Sequence, residues 1–341
     1  MNILKLEKSK LIGLLKSWND DFEVIVPTVE NGNLMFGNLG DCEPTLDFNG
    51  RPLLSPKEFM FPQIEKTFSF DAADNTKIGI ETHLNNTKRV IWGIRSCDLK
   101  GIKTLDTIFL SKYVDAYYQA RRKNTILIGL NCNEPCNYGF CSSCQSGPFA
   151  NGDFDILFTD LGSNYLVNIG TKQGEEALSK SLKLFKTATD ADQKKASDIE
   201  AASRKAFKNL PAMATAQQRL PQYWDDVLWK QESANCILCG GCNFVCPTCH
   251  CFNIEDVACD KQISTRMRYW DSCQFGGFTQ MAAENTRPLQ EERLRQRIFH
   301  KIVYTPDLYD GALGCTGCGR CIEVCPVEID ITHIIGRIKV K

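Results

Sequence analysis

Two runs of the form Cys-x2-Cys-x2-Cys-x3-Cys-Pro dominate the chemistry open to this chain: Cys236, Cys239, Cys242 and Cys246 before Pro247, and Cys315, Cys318, Cys321 and Cys325 before Pro326. In two-cluster ferredoxins this spacing lets three cysteines of a run hold one [4Fe–4S] cube while the fourth ligates the other. It therefore predicts that Cys236, Cys239, Cys242 and Cys325 hold one cluster, and that Cys315, Cys318, Cys321 and Cys246 hold the second. A tight loop puts three thiolates on three irons and turns backbone N–H groups toward the sulfides. Gly240, Gly241, Gly317 and Gly319 lie between ligands, where left-handed backbone or close approach is expected. The proline after the fourth cysteine turns the chain and suits the first position of a following helix. Zinc sites use four ligands in all, typically as paired Cys-x2-Cys, and do not match two duplicated runs. Disulfides belong to oxidising compartments, and such tight loops cannot supply well-shaped bridges.

A second cysteine group precedes these runs. Cys132, Cys136, Cys141 and Cys144 follow the apolar run Thr125–Leu130, and Cys97 ends a similar run upstream. Ligands in α/β folds sit beyond the C-terminal ends of parallel strands, so adjacent strands would bring Cys97 to the later group. A third iron–sulfur cluster is the expectation; a zinc site or a set of buried free thiols is the plainer alternative.

The elements that must position these groups read as follows. Residues 1–186 pattern as an α/β domain. An amphipathic first helix is expected at the N-terminus, and strands at Phe22–Val26 and Leu34–Phe36 flank a polar turn. Arg89–Trp92 and Thr125–Leu130 are β-rich runs with helix near Lys100–Ala120 between them, a parallel βαβ unit. Further strands are expected at Asp155–Phe158 and Tyr165–Ile169, then a helix at Gly174–Phe185. Residues 187–222 turn polar and rich in Ala, Lys and Asp, reading as a helical linker. Residues 223–341 should form a mainly helical, ferredoxin-like dicluster domain interrupted by an insertion at 247–314. Helices are expected there around Tyr269–Glu284 and Leu289–Ile302. The second carries Arg293, Arg295, Arg297, His300 and Lys301 beside its apolar residues: either a solvated face, or cations that offset the charge of the clusters. Trp224 and Trp229 read as core packing near the clusters.

Composition narrows the classes of function. The chain has 341 residues, 43% apolar and 24% charged, and a net charge of −1, which provides no basic field for nucleic acid. Its longest apolar runs fall far short of the ~20 residues a membrane span requires. Eighteen cysteines without an export signal point to thiols kept reduced or metal-bound, hence to a cytoplasmic location. No Gly-x-Gly-x-x-Gly follows an expected strand and no Walker-type loop occurs, so nucleotide binding has no visible support.

Several separated motifs give the chain a family resemblance. They are Ser55-Pro56-Lys57-Glu58 with Phe61-Pro62-Gln63, Arg95-x-Cys97-Asp98-Leu99, Cys132 through Cys141, and Cys246-Pro247-Thr248-Cys249-x-Cys251. Tyr269-Trp270-x-Ser272-Cys273, Glu292-Arg293-x-Arg295-Gln296-Arg297 and the last cysteine run complete the set. The chain resembles the iron–sulfur electron-transfer subunits represented by the sulfhydrogenase beta subunit and by the iron–sulfur subunit of anaerobic sulfite reductase. Where that family runs Cys-x6-Cys-x-Cys, the central position here is Gly139, so Cys136 or Cys144 would complete a four-thiolate set with Cys97, Cys132 and Cys141. Cys249, Cys251 and Cys273 also match family positions; they could be small apolar residues or hold further metal. The resemblance implies an electron-transfer subunit between a flavin- and NAD(P)H-binding partner, or ferredoxin, and a terminal catalytic subunit such as a hydrogenase or sulfite reductase. The alternative is a redox enzyme in its own right, with a catalytic third cluster. A pocket beside an incompletely ligated third cluster would favour it.

Overall fold

The computed structural model describes residues 3–74, 77–208, 210–259 and 262–339. Twelve strands are present among them: β1 (Leu4–Glu7), β2 (Glu23–Glu30), β3 (Asn33–Asn38), β4 (Ile64–Asp74), β5 (Lys77–Thr82), β6 (Arg89–Ile94), β7 (Thr125–Leu130), β8 (Ile156–Asp160), β9 (Asn164–Ile169), β10 (Phe185–Thr187), β11 (Phe252–Ala258) and β12 (Ile263–Trp270). They form an eight-stranded sheet, ordered β10-β1-β9-β8-β7-β6-β2-β3, and a four-stranded sheet, ordered β11-β12-β4-β5.

The centre of the large sheet is parallel: β2 pairs with β6, β6 with β7, and β7 with β8 in the same direction. Every residue of β6 and β7 is buried, because a parallel sheet is covered on both faces and needs continuous apolar strands. Alternate residues feed two cores. Val24, Val26, Trp92, Ile126 and Ile128 pack on one face with Leu11, Leu14 and Trp18. Ile25, Ile91 and Leu127 pack on the other with Leu99, Ile102, Leu105 and Phe109 from helix Ser96–Phe109. That helix and helix Ala116–Lys123 are the expected crossover between β6 and β7. At the N-terminus the expected helix is displaced by β1, which pairs with β9 and β10; helix begins only at Leu11. The expected helix at Gly174–Phe185 shortens to Lys172–Ser179 because the chain must return to the sheet as β10.

The insertion departs further from expectation. No helix forms around Tyr269–Glu284. Instead β11 and β12 make a hairpin, and β12 pairs with β4 of the N-terminal half. Thr265, Arg268 and Trp270 of β12 are buried, the register shifting between Arg266 and Met267, while Ile263 and Ile254 stay exposed. Arg268 anchors the hairpin through ion pairs to Glu65 and Asp115, and the Trp270 indole donates to Phe61 O at 3.0 Å. The region carrying the clusters is thus partly β.

The second expected helix of the insertion forms as Gln290–Phe299 and continues into a π-helical turn, His300–Tyr304. Leu294, Ile298, Phe299 and Ile302 pack there with Met213, Leu220, Trp229, Ile334 and Ile335 in a third core. Trp229 is buried as expected; Trp224 stays partly exposed, stacked under Arg295 at 4.0 Å.

Candidate metal centres

The two cysteine runs adopt one local conformation. Leu238 and Gly317, equivalent in the two runs, have φ of +57° and +61°; Gly240 and Gly319 have φ of +73° and +75°. Each second pair caps a one-turn helix, Gly241–Phe244 or Arg320–Glu323, and the two turns pack together. A Cβ on Gly319 would collide with the Tyr138 backbone and one on Gly240 with the Phe275 ring, so both glycines serve conformation and close approach together. Gly241, expected to need the same freedom, is helical, and a Cβ there would meet only ordinary contacts, Cys239 Sγ at 3.7 Å and Val324 Cγ2 at 4.0 Å.

Cys236, Cys239 and Cys242 line one pocket together with Cys321 and Cys325 of the other run, walled by Leu294, Ile298 and Ile334. The Ile329 amide donates to Cys325 Sγ at 3.2 Å. Cys246 neighbours Cys242 of its own run as well as Cys315, Cys318 and Cys321, and the Gly317 amide donates to Cys315 Sγ at 3.4 Å. Amide donors aimed at sulfur suit thiolates bound to iron.

The strand ends gather the other group. Cys97 occupies the first turn of helix Ser96–Phe109, just past β6, and Cys132 follows β7. Cys141 has Cys132, Cys136 and Cys318 as charged neighbours, and Cys97 has Cys318 and Cys141. Cys136 thus lies near Cys132 and Cys141. Cys144 also has Cys141 and Cys318 as neighbours, and its thiol hydrogen-bonds to Cys315. Cys318 is the link between this group and the second ferredoxin site.

Burial above all, with neighbouring thiols adding to it, pushes Cys132 up to about 11 and Cys321 to about 12, because the interior disfavours a bare thiolate. Others are pulled the opposite way. A hydrogen bond from Cys249 holds Cys246 well below the usual thiol range, helped by Lys301 and Arg297. A hydrogen bond from Cys144 brings Cys315 to about 7. Cys273 falls to about 5 through a hydrogen bond from Cys251, with Asn243 Nδ2 also donating to its sulfur at 3.0 Å. Cys249, Cys251 and Cys273 are thus paired thiols beside the cluster loops rather than inert filling. Cys42 packs against Gly37, and Cys259 is exposed on the hairpin.

The strongest sign that these pockets suit anionic clusters is the charge packed around them. Arg297, Lys301 and Lys57 are each at least nine-tenths buried, and among the described residues none of the three has a carboxylate within ion-pair distance. Lys301 Nζ donates to Cys246 Sγ at 3.0 Å, Arg297 Nη2 to Cys242 O at 3.2 Å, and Lys57 Nζ to Cys249 O at 2.9 Å. Buried cations without counter-charge are costly; thiolate-ligated iron–sulfur cubes would compensate them. Sequence reasoning singled out Arg297 and Lys301 as candidates but passed over the charge of Lys57, for which burial was the missing signal. It also passed over Arg320, whose guanidinium pairs with Asp98 at 2.6 and 2.8 Å and ties the second cluster loop to the Cys97 turn. Of the histidines, His250 meets Thr248 O at 3.0 Å and lies edge-on to His300, while His83 bonds Ser69.

A polar cavity opens at the ends of β6, β7 and β8 beside Cys132, lined by Arg95, Asn131, Asn133, Asp160 and Tyr165. Among the described residues, no helix is long and apolar enough to cross a membrane.

Residues 235–329 match the 4Fe-4S dicluster domain family. Over 315 residues the chain is 32% identical to the sulfhydrogenase 2 subunit beta of Pyrococcus furiosus, covering 92% of this chain and 91% of that protein.

Proposed function

We propose that this chain, which belongs to the sulfhydrogenase beta-subunit family of iron–sulfur electron-transfer proteins, is the fixed relay of a multi-subunit oxidoreductase. Two [4Fe–4S] clusters supply one-electron carriers; the residues of the chain hold, space and insulate them. Cys236, Cys239, Cys242 and Cys325 hold the first, and Cys315, Cys318, Cys321 and Cys246 the second. Cys97, Cys132, Cys136 and Cys141 hold a third, with Cys144 outside the ligand set.

One observation supports the reading: Cys246 neighbours both Cys242 and Cys318, and Cys318 neighbours Cys97, so clusters in the three cysteine groups would form a connected series. A stand-alone shuttle has no need of such a series, nor of an eight-stranded domain built around one end. The partners that suit it are a flavin- and NAD(P)H-binding subunit, or ferredoxin, on one side and a terminal catalytic subunit such as a hydrogenase or sulfite reductase on the other. The work of this chain is then electron transfer without a substrate site, in the cytoplasm.

Anaerobic affinity purification tests this. A flavin-binding subunit and a metal-containing catalytic subunit should co-purify, and the isolated chain should take up electrons without turning over hydrogen, sulfite or nicotinamide. Turnover by the isolated chain would overturn the reading.

The polar cavity beside Cys132 favours one second reading, an enzyme acting at the third cluster. Four cysteines within reach of that cluster weigh against it, since they leave no iron open. A small-molecule substrate that alters the EPR signal of the third cluster would support this second reading.

A further inference from the structure

We infer that Lys301 sets the reduction potential of the cluster held by Cys246, Cys315, Cys318 and Cys321, raising it separately from that of the neighbouring cube. The inference rests on the ligand assignment proposed above.

The placement of this lysine is built by local structure. Helix Gln290–Phe299 presents Arg293 and Arg297 inward, one turn apart, and Lys301 would follow one turn later. At that point the backbone changes to the π-helical turn His300–Tyr304, a distortion often found at functional sites. Thr305 Oγ1 donates to His300 O at 2.5 Å, and the Gly314 amide donates to Lys301 O at 2.8 Å. A Cβ on Gly314 would come within 2.9 Å of Lys301 Cα and 2.7 Å of Thr305 Oγ1, so only glycine lets this strand lie against the turn.

The ammonium group has three protons to donate, and three acceptors surround it: Cys246 Sγ at 3.0 Å, Thr248 Oγ1 at 3.2 Å and Gly314 O at 3.3 Å. Thr248 in turn donates its own proton to Gly314 O at 2.6 Å, which leaves its lone pairs facing the lysine. Two acceptors are neutral and the third is a predicted cluster ligand. Of the thiols that feel the charge, Cys246, Cys249 and Cys315, it is Cys246 that the ammonium hydrogen-bonds, from a side chain only 4% exposed and thus poorly screened by salt.

Arg297 differs in kind. It donates to Cys242 O and to Asn243 Oδ1, a carbonyl and an amide, and makes no hydrogen bond to sulfur. Adding one electron to a cube makes it more negative, which a fixed cation and an N–H···S bond both stabilise. Lys301 thus acts on the second cluster directly, and on the first only across the intervening loop.

The test uses Lys301→Met, Lys301→Gln and Lys301→Arg in the full chain, purified anaerobically, with iron analysis and EPR-monitored potentiometric titration. Cys318→Ser identifies which signal belongs to the second cluster. Lys301→Met should keep wild-type iron, and its second-cluster equilibrium should shift at least tenfold against reduction, a fall of about 59 mV for one electron. The first cluster should shift less than threefold, and Lys301→Arg should stay with wild type. An unmoved second-cluster potential, or equal shifts of both clusters, would overturn the inference. Should Lys301→Met lose iron, Lys301→Gln carries the same expectation. Loss of iron in both, with wild-type iron in Lys301→Arg, would overturn a tuning role in favour of assembly. Cys246→Ser separates the two layers of the argument. An unaltered second-cluster signal in that variant would defeat the ligand assignment; an altered one beside an unmoved Lys301→Met potential would defeat only the role of Lys301.

Discussion

The Arg320–Asp98 pair yields a prediction in which structure, stability and cofactor retention should move together. Both side chains are fully buried, with relative exposure of 0% and 0%. The guanidinium spends two contacts on the carboxylate, at 2.6 and 2.8 Å, and two on Pro52 O, at 3.0 and 2.8 Å. Arg320→Met leaves a buried carboxylate without its partner, and breaking such a pair costs about 3–5 kcal/mol. An exposed ion pair would cost at most about 1 kcal/mol, so the size of the loss decides between the two descriptions. Asp98 adjoins Cys97, and Arg320 adjoins Cys321. The second and third clusters should accordingly be lost before the first. Anaerobic urea titration, followed by far-UV circular dichroism and cluster absorbance, measures the loss; EPR of partly denatured samples gives its order. In Asp98→Asn/Arg320→Met the cost should fall below the sum of the two single variants, by about 0.5–3 kcal/mol of coupling. Single variants each within about 1 kcal/mol of wild type, or release of the first cluster ahead of the others, would refute the reasoning.

Three further outcomes follow from the site. Cys136→Ser should lower iron from about twelve to about eight atoms per chain, for three cubes against two, while Cys144→Ser keeps the higher value; iron analysis of anaerobic preparations distinguishes them. Gly319→Ala should destabilise the second loop by more than the ~1 kcal/mol that left-handed backbone alone costs an L-residue, because its Cβ also meets the Tyr138 backbone, whereas Gly241→Ala should be tolerated; thermal melts of the two variants check this. Arg268→Met should release the β11–β12 hairpin from Glu65 and Asp115 while sparing the cluster signals, measured as faster hydrogen exchange across β12.

How much of this was legible in the sequence depended on what each signal measures. Cysteine spacing is a local constraint imposed by a rigid cofactor, so the dicluster region, residues 235–329, was plain in the sequence. The buried strands β6 and β7 were equally plain, because a parallel sheet covered on both faces writes continuous apolar runs. The misread elements were those whose state is decided by distant partners. Leu4–Glu7 has the periodicity of a helix but completes the sheet beside β9. Tyr269 and Trp270 end a strand because β4 offers its edge to β12, a pairing across about two hundred positions. The choice between Cys136 and Cys144 likewise lies outside local spacing, since both thiols neighbour Cys141. Lys57 stood in a family motif with nothing local to mark it as buried; its ammonium lies 4.1 Å from the centre of the Trp270 ring, a residue distant in sequence.

The central claim is that three cysteine groups hold a continuous series of one-electron centres. Its most direct measurement is EPR spectroscopy of the anaerobically isolated chain, reduced stepwise and paired with iron and sulfide analysis. The account predicts about twelve iron atoms per chain and three separately reducible [4Fe–4S] centres, with magnetic coupling between the pair held by the crossed runs. A reproducible value of about eight iron atoms or fewer, or reducible centres that show no mutual coupling, would contradict it.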